Sequence, residues 1–241
     1  MKRIHANQLK LLAMFLMLLD HMWATMIPGN MWMTYLGRMA FPIFAFQISE
    51  GFEHSRNKKA YAKRLLVFAL LSEIPFNLMY MGSLFFPFHQ NVLFTLLLGL
   101  LGIQAIAAWE KQRTLRQGVL TALALLGLLL LGGLGFVDYG ANGVLTVLLF
   151  YVAKRSRFCK TIELVGMFLL NQVFFSGEVL ELSLLGKGFE LQTQAFALFA
   201  LLPIWMYDDK QGKSPKWFRY AAYAFYPVHM LLLYLISTYL L

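Results

Sequence analysis

The chain has 241 residues, of which 59% are hydrophobic and only 14% charged, and its mean hydropathy is +0.62. Soluble domains carry roughly a quarter charged residues, so a soluble globular protein is excluded. The formal net charge of +9 would suit a nucleic-acid partner, but its placement assigns it to membrane topology and no nucleic acid is expected.

Of the 21 Lys and Arg, all but Arg38 and Lys187 fall at the N-terminus or in alternate loops. They are Lys2, Arg3 and Lys10; Arg56, Lys58, Lys59, Lys63 and Arg64; Lys111, Arg113 and Arg116; Lys154, Arg155, Arg157 and Lys160; Lys210, Lys213, Lys216 and Arg219. Cytoplasmic loops are the ones enriched in Lys and Arg, so this pattern puts the N-terminus in the cytoplasm. The single cysteine, Cys159, supplies neither a disulfide framework nor a pairwise metal spacing, and no metal is expected.

Nine apolar runs follow in chain order, roughly 8–28, 32–52, 65–82, 92–109, 118–137, 141–153, 161–177, 192–207 and 220–240. The first is too long, and too polar at its centre, for a cleavable signal peptide. The sixth covers only about 20 Å as a helix, which suits a short helix packed within the bundle or a re-entrant one. The segment 178–191 is amphipathic and is expected at the membrane interface. The expected fold is an all-α polytopic membrane helix bundle, one domain over 1–241, with about nine transmembrane helices (eight to ten).

A charge at the centre of such a helix costs about 2.5–3.5 kcal/mol on insertion scales, so intramembrane charges face the protein interior and pair. The polar candidates are Asp20 and His21 in the first run, Arg38 and Glu50 in the second, and Glu73 and Asn77 in the third. Asn171 and Gln172 follow in the seventh and His229 in the ninth. The first two runs form a hairpin about Pro28-Gly29-Asn30. Asp20 and Arg38 then lie at similar depth, which predicts an ion pair between them.

Lys10 and His21 are eleven residues apart, and eleven steps of 100° return to within about 20° of one helix face. Met14 and Met17 fall between them on that face. A cation at the cytoplasmic mouth is thereby joined by thioethers to an imidazole roughly 16 Å deeper. That length suits a pantetheine arm with phosphates at one end and a thioester at the other; a snorkelling Lys and core-packing Met would give the same pattern. Arg56, Lys58, Lys59, Lys63 and Arg64 concentrate five cations in the next basic loop, where they could hold a polyphosphate or anionic lipid headgroups. Glu73 and Asn77 lie one turn apart on one helix face, which predicts a shared polar role. Pro42, Pro75 and Pro227 each stand near a polar residue and free a backbone carbonyl there. His229 fits either a site or a satisfied interior histidine.

The segments LLDHMW, LGRMAFPIFAFQISEGFEHSRNKKAYAKRL, LLSEIPFN, QNVLFTLLLGLL and YAFYPVHMLLL together resemble the TraX family, named for a conjugative-plasmid protein that acetylates the pilin N-terminus in the bacterial inner membrane. The likeness is strong over roughly 8–102 and 220–235, and between 110 and 215 only the apolar character matches. TraX proteins are similar in turn to the wider transmembrane acyltransferases, including the acyltransferase-3 enzymes. In those a basic residue precedes the first-helix histidine by eleven positions, as Lys10 precedes His21; their arginine motif has only Lys63-Arg64 as a loose counterpart here.

The resemblance implies an acetyltransferase of the bacterial cytoplasmic membrane, with acetyl-CoA as donor. The acceptor would be the amine of an exported peptide or pilin, or the hydroxyl of a surface glycan. His21 would be the general base, Asp20 its support, and Arg38 the balancing charge. Arg38 or Asn77 would serve the oxyanion, with Glu73 in the same polar cluster. Lys10, Arg56, Lys59, Lys63 and Arg64 would bind the phosphates of CoA. The alternative is a proton-coupled transporter using Asp20, His21, Arg38 and Glu73 as a relay. Transporters usually show two matched halves, and no internal repeat is visible here.

Overall fold

The computed structural model describes residues 3–175, 177–184, 187–208 and 215–240; the expected cytoplasmic charges Lys2, Lys210 and Lys213 lie outside them. Each apolar run falls in a helical segment, in the order α1 (Ala6–Thr25), α2 (Met31–Gly37), α3 (Ala40–His54), α4 (Lys58–Met81), α5 (Val92–Gln112), α6 (Leu115–Leu134) and α7 (Gly140–Ala153). There follow α8 (Cys159–Phe168) with a π-helical turn (Leu169–Val173), strands β1 (Val179–Leu184) and β2 (Lys187–Gln192), a 3-10 helix (Thr193–Ala200) running into α9 (Leu201–Trp205), and α10 (Lys216–Tyr239).

Two sequence readings change. The run 32–52 is not one helix but two, α2 and α3, broken at Arg38-Met39. Pro42 has no N–H for the carbonyl of Arg38, so the ladder fails at that point. The all-α expectation is interrupted by two short strands: β1 and β2 pair antiparallel, Val179 with Gln192 through Leu184 with Lys187. The sequence Leu180-Glu181-Leu182-Ser183-Leu184 alternates with period two, the strand signature.

Among the described residues, four helices are long and apolar enough to cross a bilayer: Lys58–Met81, Val92–Gln112, Leu115–Leu134 and Tyr220–Tyr239. With these spans the chain is a multi-pass membrane protein. α1 has the length, 20 residues, but carries Lys10, Asp20 and His21. The short α7 is buried along most of its length, packed among α3, α5 and α6, as one of the two expectations for 141–153 had it. α6 is the opposite case, with only Thr121 and Gly132 buried, and turns an apolar flank outward.

The loops segregate to two ends. At one, Ile4 N–H donates to Met206 O (2.9 Å), Arg3 pairs with Asp208 (3.2 Å), and Lys154 with Glu50 (2.6 Å). Arg155 there binds Glu53 (2.9 Å) and Glu110 (2.8 Å). This basic end gathers the N-terminus and the chain after α3, α5, α7 and α9. At the far end, Gln90 N–H donates to Phe136 O (2.8 Å) and Asp138 N–H to Gln90 O (2.9 Å), joining the α4–α5 and α6–α7 connections. The charge alternation of the sequence thus corresponds to the two ends of the bundle. α10 packs against both α4 and α1, which carries the last helix back to the first.

Candidate active site

α1 buries Leu9, Ala13, Leu16 and Met17, and the next two residues inward serve different neighbours. Successive helical side chains diverge by about 100°, so Asp20 turns to α2 while His21 turns to α10. Thr34 Oγ1 donates to Asp20 Oδ1 (2.7 Å), and Arg38 Nη2 stands 4.0 Å from the same oxygen, the pair that depth matching predicts. The approach depends on Gly37: a Cβ there would fall 2.4 Å from Asp20 Cβ. Arg38 also shares a hydrogen bond with Tyr139, whose ring stacks on Phe41 at 4.0 Å. Tyr139 holds a left-handed backbone (φ 62°), a strained conformation for a residue with a side chain. The Nε of Arg38 is buried and has no acceptor among the described residues.

His21 and His229 are both buried, at 8% and 4% exposure, and His21 Nδ1 lies 2.7 Å from His229 Nε2. Their rings are near-parallel, 12° apart in plane. The other nitrogen of His229, Nδ1, lies 2.7 Å from the carbonyl oxygen of Phe225. Tyr80 meets His21 edge-on at 6.0 Å and Tyr226 lies at 6.4 Å. Asp20 was expected to support His21; its carboxylate is instead engaged by Thr34 and Arg38, and the partner of His21 is His229. The sequence held the signal for this, a second intramembrane histidine in Tyr226-Pro227-Val228-His229, but not the pairing.

A cavity lined by Lys10, Gln47, Tyr61 and Tyr223 toward the basic end and by Met17, Leu96 and Tyr226 further in stops short of this pair: neither His21 nor His229 lines it, and Tyr226, 6.4 Å from the His21 ring, stands between. Of the residues placed on one face by the eleven-residue register, Lys10 and Met17 line the cavity and His21 does not. Met14 is not among its walls. Near the mouth, Gly51 allows Tyr61 to approach: a Cβ would meet Tyr61 Oη at 2.7 Å.

Glu73 is hydrogen-bonded to Asn91 and not to Asn77. Its Oε1 accepts from both the backbone N–H (3.0 Å) and the side-chain amide of Asn91, and Asn91 caps α5 by accepting from Leu93 N–H (3.0 Å). Side chains at i and i+4 share a face, but the α4–α5 connection supplied a closer partner. Asn77 is buried at 1% exposure, one turn from Tyr80, and its Oδ1 has no partner among the described residues. Arg56, Lys59 and Lys63 are exposed at the basic end, Lys58 donates to Phe52 O, and Arg64 lies 5.8 Å from the Tyr61 ring with its Nε unpartnered. Glu50 belongs to Lys154 and His54, and Asn171 to Gln194 (3.1 Å). At the far mouth His89 pairs with Asp138 (3.8 Å), and its hydrogen bond to that carboxylate holds the imidazole above its ordinary pKa.

The family model described as TraX protein matches residues 5–237. The chain belongs to the TraX family. A relative in Dichelobacter nodosus, named as a probable fimbrial assembly protein FimC of serogroup H1, is 32% identical over 247 residues, covering 95% of this chain and 93% of its own. No solved structure matches. The motifs around Asp20, Arg38, Glu73 and His229 all fall within the span matched to the TraX model.

Proposed function

We propose that this TraX protein is an acetyltransferase of the bacterial inner membrane. It takes acetyl-CoA from the basic, cytoplasmic end and acetylates an amine or hydroxyl acceptor reaching His21 from the far side. The observation that carries this reading is the cavity leading from Lys10 past Met17 to Tyr226, whose ring is 6.4 Å from that of the buried His21. It favours an elongated donor with an anionic end at the lysine, and the reading requires Tyr226 to yield so that the reacting end meets the imidazole.

In the proposed step His21 removes a proton from the neutral acceptor amine or the hydroxyl as that atom attacks the thioester carbonyl. The new C–N or C–O bond forms and a tetrahedral oxyanion develops. On its collapse the C–S bond breaks, and the thiolate takes the proton back from His21 and leaves as CoA thiol. Among the two expected oxyanion partners, Arg38 is favoured over Asn77. Its unpartnered atom, Nε, is a donor, while the unpartnered atom of Asn77, Oδ1, is an acceptor. Asp20 offsets the Arg38 charge. Lys10, Arg56, Lys59, Lys63 and Arg64 would bind the phosphates. The name of the Dichelobacter relative favours a fimbrial or pilin peptide amine as acceptor; a surface glycan is the other class.

A relay for proton-coupled transport draws less support. Glu73 is committed to Asn91 and Asp20 to Thr34 and Arg38, so the four residues named for it fall into separate groups. The test is transfer of labelled acetyl from acetyl-CoA, by protein in nanodiscs, to peptides with free N-termini and to glycans. Labelled product is expected with one class; no transfer to either, without stabilisation by CoA, would sink the reading.

A further inference from the structure

We infer that His229 is a positioning residue that fixes the tautomer of His21, so that Nε2 of His21 is the atom that takes the acceptor's proton. This rests on the reading of His21 as general base. A backbone carbonyl can only accept, so His229 Nδ1, 2.7 Å from Phe225 O, carries a hydrogen. The neutral imidazole then has a lone pair at Nε2. That lone pair faces His21 Nδ1 at 2.7 Å, so His21 Nδ1 is the donor and carries its own hydrogen. The only lone pair left on His21 is at Nε2. The direction of both hydrogen bonds therefore follows from one fixed acceptor, the Phe225 carbonyl. The second nitrogen of a functional histidine is commonly set in this way by a hydrogen-bonded partner.

The arrangement has a chemical consequence. When Nε2 takes the proton, the imidazolium keeps its Nδ1–H donated to the lone pair of His229, and a charge-assisted bond replaces a neutral one. His229 itself has no free lone pair in this state, so it is not a second base. It also cannot turn freely: it stacks on Phe225 at 4.6 Å and is buried at 4% exposure. Within α10, Pro227 lacks the N–H that an ordinary residue would donate one turn back.

The test uses full-length protein in nanodiscs. His229→Leu keeps volume without an acceptor, while His229→Gln returns an acceptor oxygen near the position of Nε2. For Leu, kcat is expected to fall about 10–100-fold with KM for acetyl-CoA little changed; Gln is expected to recover most of that loss. Independently of activity, ¹⁵N-histidine NMR of the wild type, assigned by comparison with His21→Ala, should show His21 protonated at Nδ1 and bare at Nε2. A wild-type spectrum with hydrogen at His21 Nε2 would overturn the inference, as would Leu and Gln variants with equal kcat. If His21→Ala keeps full activity while the spectrum is as expected, the base assignment fails and the tautomer assignment stands.

Discussion

Asp20 and Thr34, fourteen residues apart, are joined by a 2.7 Å hydrogen bond where α1 and α2 come together over a residue without a side chain. Gly37 is what permits this contact, since a Cβ there would lie 2.4 Å from Asp20 Cβ. Gly37→Ala is therefore expected to push α2 away from α1, with an overpacking cost of about 1–3 kcal/mol. Thermal unfolding in detergent should show a lowered Tm, and acetyl transfer should fall with it because Arg38 moves; an unchanged Tm would contradict the close approach.

Asn91 closes the far end of α5 through three bonds of its side chain, to Glu73, to Ala69 O (2.8 Å) and from Leu93 N–H (3.0 Å). Asn91→Ala removes a helix cap and leaves a carboxylate short of a donor, which should cost about 2 kcal/mol or more. Glu73→Gln keeps the contact with Asn91 and should be milder in Tm. If Glu73 belonged to the catalytic cluster, as the sequence suggested, Glu73→Gln would abolish transfer at unchanged stability.

The His89–Asp138 pair gives a pH signature at the far mouth. The folded-state pKa of His89 is raised, chiefly by its hydrogen bond to Asp138. Its stabilising contribution is then fully present below the ordinary value of about 6.5 and is lost as pH rises through the folded value. Tm of the wild type should fall across that window more than Tm of His89→Gln, measured at matched ionic strength; parallel profiles would sink the pair.

The exposed cations at the basic end offer a kinetic test. Lys59→Glu together with Lys63→Glu should raise KM for acetyl-CoA several-fold with little change in kcat, and the effect should shrink in high salt. An equal loss with acetyl-pantetheine, which lacks the nucleotide phosphates, would show that these lysines do not act on phosphate.

Much of the site was legible because helical geometry and membrane energetics both act locally. The eleven-residue spacing places Lys10 and His21 on one face whatever surrounds them; of that face Lys10 and Met17 line the cavity and His21 does not. The Asp20–Arg38 pair followed from depth along a short hairpin, and Pro42 marked where α2 and α3 separate.

What stayed hidden depends on packing between distant elements. His21 and His229 are 208 residues apart, and their contact exists only because α10 folds back onto α1; no local pattern encodes that. Glu73 and Asn77 obeyed the rule for sharing a face, but a shared face does not name a partner, and Asn91 reached Glu73 from the next helix. The strand at 179–184 is legible in its period-two alternation, which amphipathic character alone does not distinguish from a helix.

In the proposed reaction His21 takes the acceptor's proton in an acetyl transfer fed from the basic end. Its most direct measurement is single-turnover transfer of labelled acetyl from acetyl-CoA by wild type and His21→Ala in nanodiscs, with acetyl-CoA binding measured alongside. Loss of transfer by about 100-fold or more with binding retained is the expected result. Full transfer by His21→Ala would contradict the account.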